Sequence, residues 1–222
     1  MGEDGTGTDD ADDRLPADTE EAIMWATYRA LCDRGYADLT TQAIADEFDK
    51  SKGVIHYHYD TKEELLVAFL EYLLENFDRT VDAAGAIDPM DDPADRLLEL
   101  IEILLVGSEK RRRGESAFDH WDLVIAMLQI RSAAPYSEEF RRQLTTNFDT
   151  VEAMLIAIVE DGVDSGQFRD VDPEPVAATI LSAINGARIY RVTLERDDVT
   201  ALTRTCLEAM IREWLCATEA AD

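Results

Sequence analysis

The chain has 222 residues, of which 46% are hydrophobic, enough to bury a sizeable core. No apolar run approaches the roughly 18–20 residues a membrane helix needs, and the acidic N-terminus lacks the apolar segment of a secretory signal. Three cysteines are too few for a disulfide framework and fit a reducing cytoplasm, while 48 acidic against 21 basic residues give a formal charge of −27, which ordinarily repels nucleic acid.

Lysine occurs only four times, against 17 arginines, and aspartate outnumbers glutamate 27 to 21. That composition resembles proteins of salt-loving microbes; the alternative is an acidic surface made for a basic partner. At about 1 M salt the Debye length falls to about 3 Å, and long-range repulsion no longer selects partners.

In chain order, residues 1–17 read as a disordered acidic tail. Thr19, Glu20 and Glu21 start a first helix, with Ile23, Ala26, Ala30 and Leu31 at helical spacing and Gly35 as its stop. Thr40 or Thr41 caps a short helix through about Phe48, with Ala43, Ile44 and Phe48 on one face. Asp49 and Lys50 form a polar break, after which Ser51 caps another segment. Thr61, with Glu64 in the capping-box position, opens a long helix whose apolar face runs through Leu66, Phe69, Leu70, Leu73 and Phe77.

The remainder also reads as helical. "DPMDDP" punctuates before a largely buried helix over Ala94–Val106, and "GSEKRRRGES" is a charged loop. Further helices span Phe118 to Ile130, stopped by Pro135; Ser137 to about Asp164; Pro173 or Pro175 to Leu194; and Val199 to about Cys216. The expected fold is all-α with about nine helices.

The stretch "VIHYHYD" (residues 54–60) admits two readings. As a strand it would put His56 and His58 on one side with Asp60 beyond, a metal-binding pattern for a hydrolase with His120 as a distant ligand. As a helix it would point the two histidines apart. A lone strand among helices has no partner for its backbone groups, and the helix starts at Ser51 and Thr61 leave room for two helical turns. Two short helices joined by a tight turn make a helix-turn-helix.

The cations point the same way. Three of the four lysines and two of the three histidines fall within residues 50–62, and residues 39–62 carry three lysines against four acids, near balance in an acidic chain. Phosphate oxygens match such donors, together with Ser, Thr, Tyr and helix-start amides.

Residues 22–66, "AIMWATYRALCDRGYADLTTQAIADEFDKSKGVIHYHYDTKEELL", resemble the DNA-binding module of the tetracycline-repressor (TetR) family. The matching elements are the Gly-Tyr after the first helix, the T-T-x-x-I-A start of the second, S-K-G opening the third, and the aromatic and histidine cluster before T-K-E-E-L. The resemblance implies a DNA-binding head over residues 18–66 and a ligand-binding and dimerisation domain over 67–222. It implies DNA contacts for Thr40, Thr41, Gln42, Ser51, Lys52, Gly53, Val54, His56, Tyr57, His58 and Lys62, with Lys62 over a phosphate. Asp49 departs from a turn glycine, and His56 from a phosphate-contacting tyrosine. Ile44, Ile55 and Tyr59 read as core of the head.

The same resemblance implies a homodimer through the last two helices, a palindromic double-stranded operator, a small and largely apolar effector, and neither enzymatic activity nor cofactor. Small and apolar residues of those two helices, from Ala177, Ala178, Ile180, Leu181 and Ile184 to Leu202, Leu207, Met210, Ile211 and Leu215, suit close packing. Residues suited to line the effector cavity are Tyr72, Phe118, Trp121, Met127, Asn147, Phe148, Met154, Asn185 and Arg188, each with plain core as its alternative. The basic run 110–113 reads as a loop balancing nearby acids, with a second basic contact as its alternative. A helical interaction protein without DNA binding is the alternative of another class.

Overall fold

The computed structural model describes residues 17–48, 52–84, 86, 91–108 and 118–217. The expected tail apart from Ala17, which opens the first helix, the cap at Ser51 and the basic run 110–113 lie outside the described residues. Nine α-helices, and no strand beyond one isolated Phe168–Cys216 bridge, occur among the described residues. None of these helices is long and apolar enough to cross a membrane.

Helix α1 (Ala17–Asp38) extends past its expected stop, with a kink at Gly35, whose φ of 72° lies in the left-handed region. Thr40 caps α2 (Thr41–Glu47), its hydroxyl accepting from the Ala43 N–H at 3.0 Å. Helix α3 spans Lys52–His58, and α4 spans Lys62–Ala84. Thr61 Oγ1 accepts from the Glu64 N–H at 3.1 Å, and the Glu64 carboxylate turns back to the Asp60 N–H at 2.9 Å.

Helix α5 (Pro93–Val106) begins at an Asp92 cap and ends at Gly107. Helix α6 (His120–Ala133) begins at an Asp119 cap and runs into a 3₁₀ turn at Ala134–Tyr136, where Pro135 sits. Ser137 caps α7 (Glu138–Asp164), and Asp172 caps α8 (Pro173–Leu194). Helix α9 (Asp197–Ala209) starts two residues before its expected position and continues as a π-helical turn over Met210–Leu215, where the Cys216 N–H donates to the Ile211 carbonyl five residues back at 2.9 Å.

Two hydrophobic clusters organise these helices. The first joins α1 to α4 with Phe118, Leu123, Ala126 and Ile130 of the α6 segment and Phe140 and Leu144 of α7. The second joins α5, the C-terminal half of α7, α8 and α9. The first cluster runs without a break across residue 66, because Leu65, Leu66, Phe69 and Leu70 on α4 all bury into it. One helix therefore belongs at its start to the helix-turn-helix and further along to the body.

Candidate functional site

The helix-turn-helix is held from within by Ile44, Ala45, Phe48 and Ile55, all buried. That burial orients the opposite face of α3 outward. Tyr57 is 74% exposed and His56 is exposed, whereas Val54 and His58 are half-buried. The Tyr57 and His58 rings meet edge to face at 4.8 Å. Gly53 is exposed. On α2, Thr41 is half-buried, and the exposed Gln42 donates to Asp46 at 2.9 Å. The region is helical, so His56 and His58 diverge. No group of three metal-ligating side chains stands together among the described residues.

Lys62 has a more particular setting. Its ammonium donates to the Tyr36 carbonyl at 3.2 Å and stands over the Tyr36 ring, 4.3 Å from its centroid. Tyr59, behind α3, is half-buried; burial, then the Glu20, Glu64 and Glu71 carboxylates, push its phenol up to about 12.

A cavity of about 160 Å³ lies in the body. Its walls are Leu73, Leu74, Phe77 and Thr80 of α4; Ile103 and Leu104 of α5 with Ser108 beyond it; His120, Leu123 and Met127 of α6; Asn147 and Val151 of α7; and Arg188 of α8. The buried His120 stands within 3.2 Å of the Leu105 carbonyl through Nε2. A Cβ on Gly107 (φ 88°) would come within 2.9 Å of the same ring, so the glycine makes room for the imidazole.

Of the nine residues expected to line a cavity, Met127, Asn147 and Arg188 do so. Tyr72 and Phe118 instead join Trp25, Tyr28 and Phe69 in an aromatic cluster, where Phe118 meets Tyr28 at 4.7 Å, Trp25 at 5.3 Å and Tyr72 at 6.2 Å. Trp25 is thus both partly exposed and packed against the body. Trp121 lies under the Arg191 guanidinium at 4.2 Å, and Met154 packs in the second core. Phe148 is exposed, and Asn185 is 3.5 Å from Arg131 across α6 and α8.

Helix α6 stands between cavity and head. His120, Leu123 and Met127 face the cavity, while Gln129, roughly 200° around the helix from Met127, faces α1. The Gln129 side-chain oxygen accepts from the Tyr36 N–H at 2.6 Å, directly after the Gly35 kink. At the other end of α6, the Asp119 N–H donates to the Tyr28 hydroxyl at 3.1 Å. Neither tie was foreseeable from sequence, because nothing in the spacing of Gln129 or Tyr28 specifies a partner about 90 residues away.

Residues 23–69 match the family described as bacterial regulatory proteins, tetR family, and residues 93–215 match the BetI-type transcriptional repressor C-terminal family. The chain belongs to the TetR family. A TetR transcription regulator from Haloarcula marismortui is 40% identical, covers 91% of this chain and all of its own, and superposes with a TM-score of 0.77. The HTH-type transcriptional regulator TtgR of Pseudomonas putida is 26% identical, over 83% of this chain and 85% of its own. A putative regulator from Saccharomonospora viridis in complex with choline shares the fold, with 24% identity over 91% of this chain, all of its own, and a TM-score of 0.74.

This TetR-family chain is a ligand-responsive, DNA-binding transcriptional regulator, not an enzyme. Head and cavity are the two sites such a regulator requires, and α4, α6 and α7 are helices that touch both.

Proposed function

We propose that the protein is a cytoplasmic homodimeric repressor that leaves a palindromic operator when a small, apolar-bodied molecule enters the cavity. The observation that carries this reading is the position of α6, which lines the cavity on one face and is hydrogen-bonded to α1 at both ends. A close-packed helix does not compress, so a ligand that displaces α6 also displaces α1. Helix α4, with Leu66 and Phe69 in the head core and Leu73 and Phe77 toward the cavity, turns with it. The change in angle takes the two reading heads out of register with successive major grooves.

In this reading, Tyr57, His56 and Lys52 on α3 meet the major groove, with Ser51, Gly53, Val54 and His58 around them. Thr40, Thr41 and Gln42 meet the backbone at the start of α2. Lys62 exchanges the Tyr36 carbonyl for a phosphate oxygen. Residues 18–66 act as the head and 67–222 as the sensing and pairing body, although their packing is continuous.

The dimer forms through the outward face of α8 and α9. Ala177, Ile180, Leu181, Ile184, Leu207, Ile211 and Leu215 bury within the protomer, leaving Ala178, Ser182 and Gly186 on α8 and Leu202 and Cys206 on α9 for the partner. Among the described residues nothing lies within 4 Å of a Cβ built on Gly186, so a second helix can approach closely there. Two-fold pairing then requires half-sites about one helical turn apart.

Fluorescence anisotropy on the DNA immediately upstream of the protein's own gene, in about 1 M KCl to screen the −27 charge, tests the reading. The double variant Lys52→Ala/Tyr57→Ala loses about 100-fold in operator affinity through lost phosphate and base contacts. Undiminished binding by the double variant overturns it.

A further inference from the structure

We propose that Tyr36 is a positioning residue for operator binding: its carbonyl and ring hold the Lys62 ammonium in the DNA-free protein as stand-ins for a phosphate, and so set how readily Lys62 reaches the operator. The proposal rests on the reading of Lys62 as a phosphate contact and names the group that competes for it.

The backbone makes this hold possible. Gly35, with φ 72° and ψ 165°, breaks the helical ladder of α1. The Tyr36 N–H therefore bonds outside its own helix, to the Gln129 side-chain oxygen at 2.6 Å, and the Tyr36 carbonyl accepts from Lys62 Nζ at 3.2 Å. The ring meets the buried Phe140 edge to face at 6.0 Å. Tyr36 is thus fixed at its backbone by α6 and at its ring by α7, and the ammonium settles 4.3 Å from the ring centroid.

The choice of partner is the second observation. Acids outnumber bases 48 to 21 in the chain, and Glu63 and Glu64 follow Lys62 directly. Arg29, Arg79, Arg96 and Arg191 each pair with a carboxylate. Lys62 pairs with none among the described residues, and the Glu64 carboxylate turns instead to the Asp60 N–H. A neutral carbonyl and a π face bind an ammonium less firmly than a full negative charge does. Lys62 is therefore held where a phosphate can take it. The carbonyl oxygen and the ring face are both electronegative and oppose a phosphate oxygen at the same nitrogen, so the two sets of partners alternate. Because Gln129 lies on α6, the helix that lines the cavity also fixes the group that competes with DNA.

Fluorescence anisotropy on the DNA upstream of the protein's own gene, in about 1 M KCl, is read for Tyr36→Leu, Tyr36→Phe, Lys62→Met and the double variant Tyr36→Leu/Lys62→Met. Tyr36→Leu removes the ring face and binds about 5- to 30-fold tighter, taken over two heads. Tyr36→Phe keeps the face and binds like the parent. Lys62→Met binds about 10-fold or more weaker. Adding Tyr36→Leu to Lys62→Met changes nothing, whereas a merely structural Tyr36 would act alike in both backgrounds. Should Tyr36→Leu fail to fold, NMR of the lysine-labelled parent decides. The Lys62 ε protons, assigned by their absence in Lys62→Met, stand upfield over the Tyr36 ring and lose that shift when the same DNA is added. Tyr36→Leu binding no tighter than the parent, an equal gain without Lys62, or an upfield shift that persists on the DNA overturns the proposal alone. Binding indifferent to Lys62→Met overturns the reading of Lys62 as a phosphate contact, and the proposal with it.

Discussion

Gln129→Leu tests whether the tie between α6 and α1 has energetic weight. Leucine keeps nearly the same volume but removes the oxygen that accepts from the Tyr36 N–H at 2.6 Å. That amide follows the Gly35 kink in a part-buried position between α1, α4 and α6, with the Lys62 ammonium already on the neighbouring carbonyl. An amide left without its acceptor in such a place costs about 1–2 kcal/mol. For a chain of this length that lowers Tm by about 2–8 °C, read by thermal denaturation in about 1 M KCl. Hydrogen exchange at the Tyr36 amide accelerates about tenfold, since 1.4 kcal/mol corresponds to one order of magnitude. Ligand-driven operator release is blunted in parallel, because one of the two hydrogen-bonded ties between α6 and the head is gone. A variant whose Tm stays within about 1 °C of the parent, with Tyr36 equally protected, refutes the reasoning.

Leu202→Asp, on the outward face of α9 where the side chain is 63% exposed, leaves the protomer folded but shifts it from dimer to monomer in light scattering; an unaltered dimer places the interface elsewhere. Tyr59 has its phenol pushed up from 10.0 to about 12 by burial and neighbouring carboxylates, so the folded state holds a proton that the unfolded chain releases first. Its stabilising contribution is complete below pH 10.0, is lost as pH rises toward about 12, and shrinks in Tyr59→Phe, measured by denaturant unfolding across that range. Gly162→Ala, whose Cβ would stand 2.2 Å from the buried Phe168 ring, destabilises by about 1–3 kcal/mol in denaturant titration; an unchanged midpoint shows that the α7–α8 turn yields more freely than its packing indicates.

Salt dependence follows from the head's own composition. Residues 18–66 carry five Lys or Arg against eleven Asp or Glu, a net −6, so the head as a whole is anionic although its 39–62 segment is near balance. The proposed operator complex therefore depends on local placement of donors at α2 and α3 and on screening of everything around them.

Much was legible from spacing alone. Helix starts at Thr61 and Ser137 stand where side-chain caps and acidic first turns place them, and of the two expected prolines Pro173 is the one that opens α8. Capping is a contact between residues two or three apart, so it is written in the local order of the chain. The helical state of residues 52–58 was likewise decided by exclusion, since a strand there has no neighbour. Less legible was the last helix, whose final turn widens to π geometry where the chain end pairs with the α7–α8 turn.

The amino-acid order by itself determined the all-α class, most helix limits and the family, because periodicity, caps and the head's motif are properties of neighbouring residues. It also marked Tyr72, Phe118 and Met127 alike as suited either to line a cavity or to pack as plain core. Only the tertiary structure separated them, sending Met127 to the cavity and Tyr72 and Phe118 to the aromatic joint between head and body. The physical reason is that burial is an average over a helix face, whereas what a face is buried against depends on how helices far apart in the chain cross.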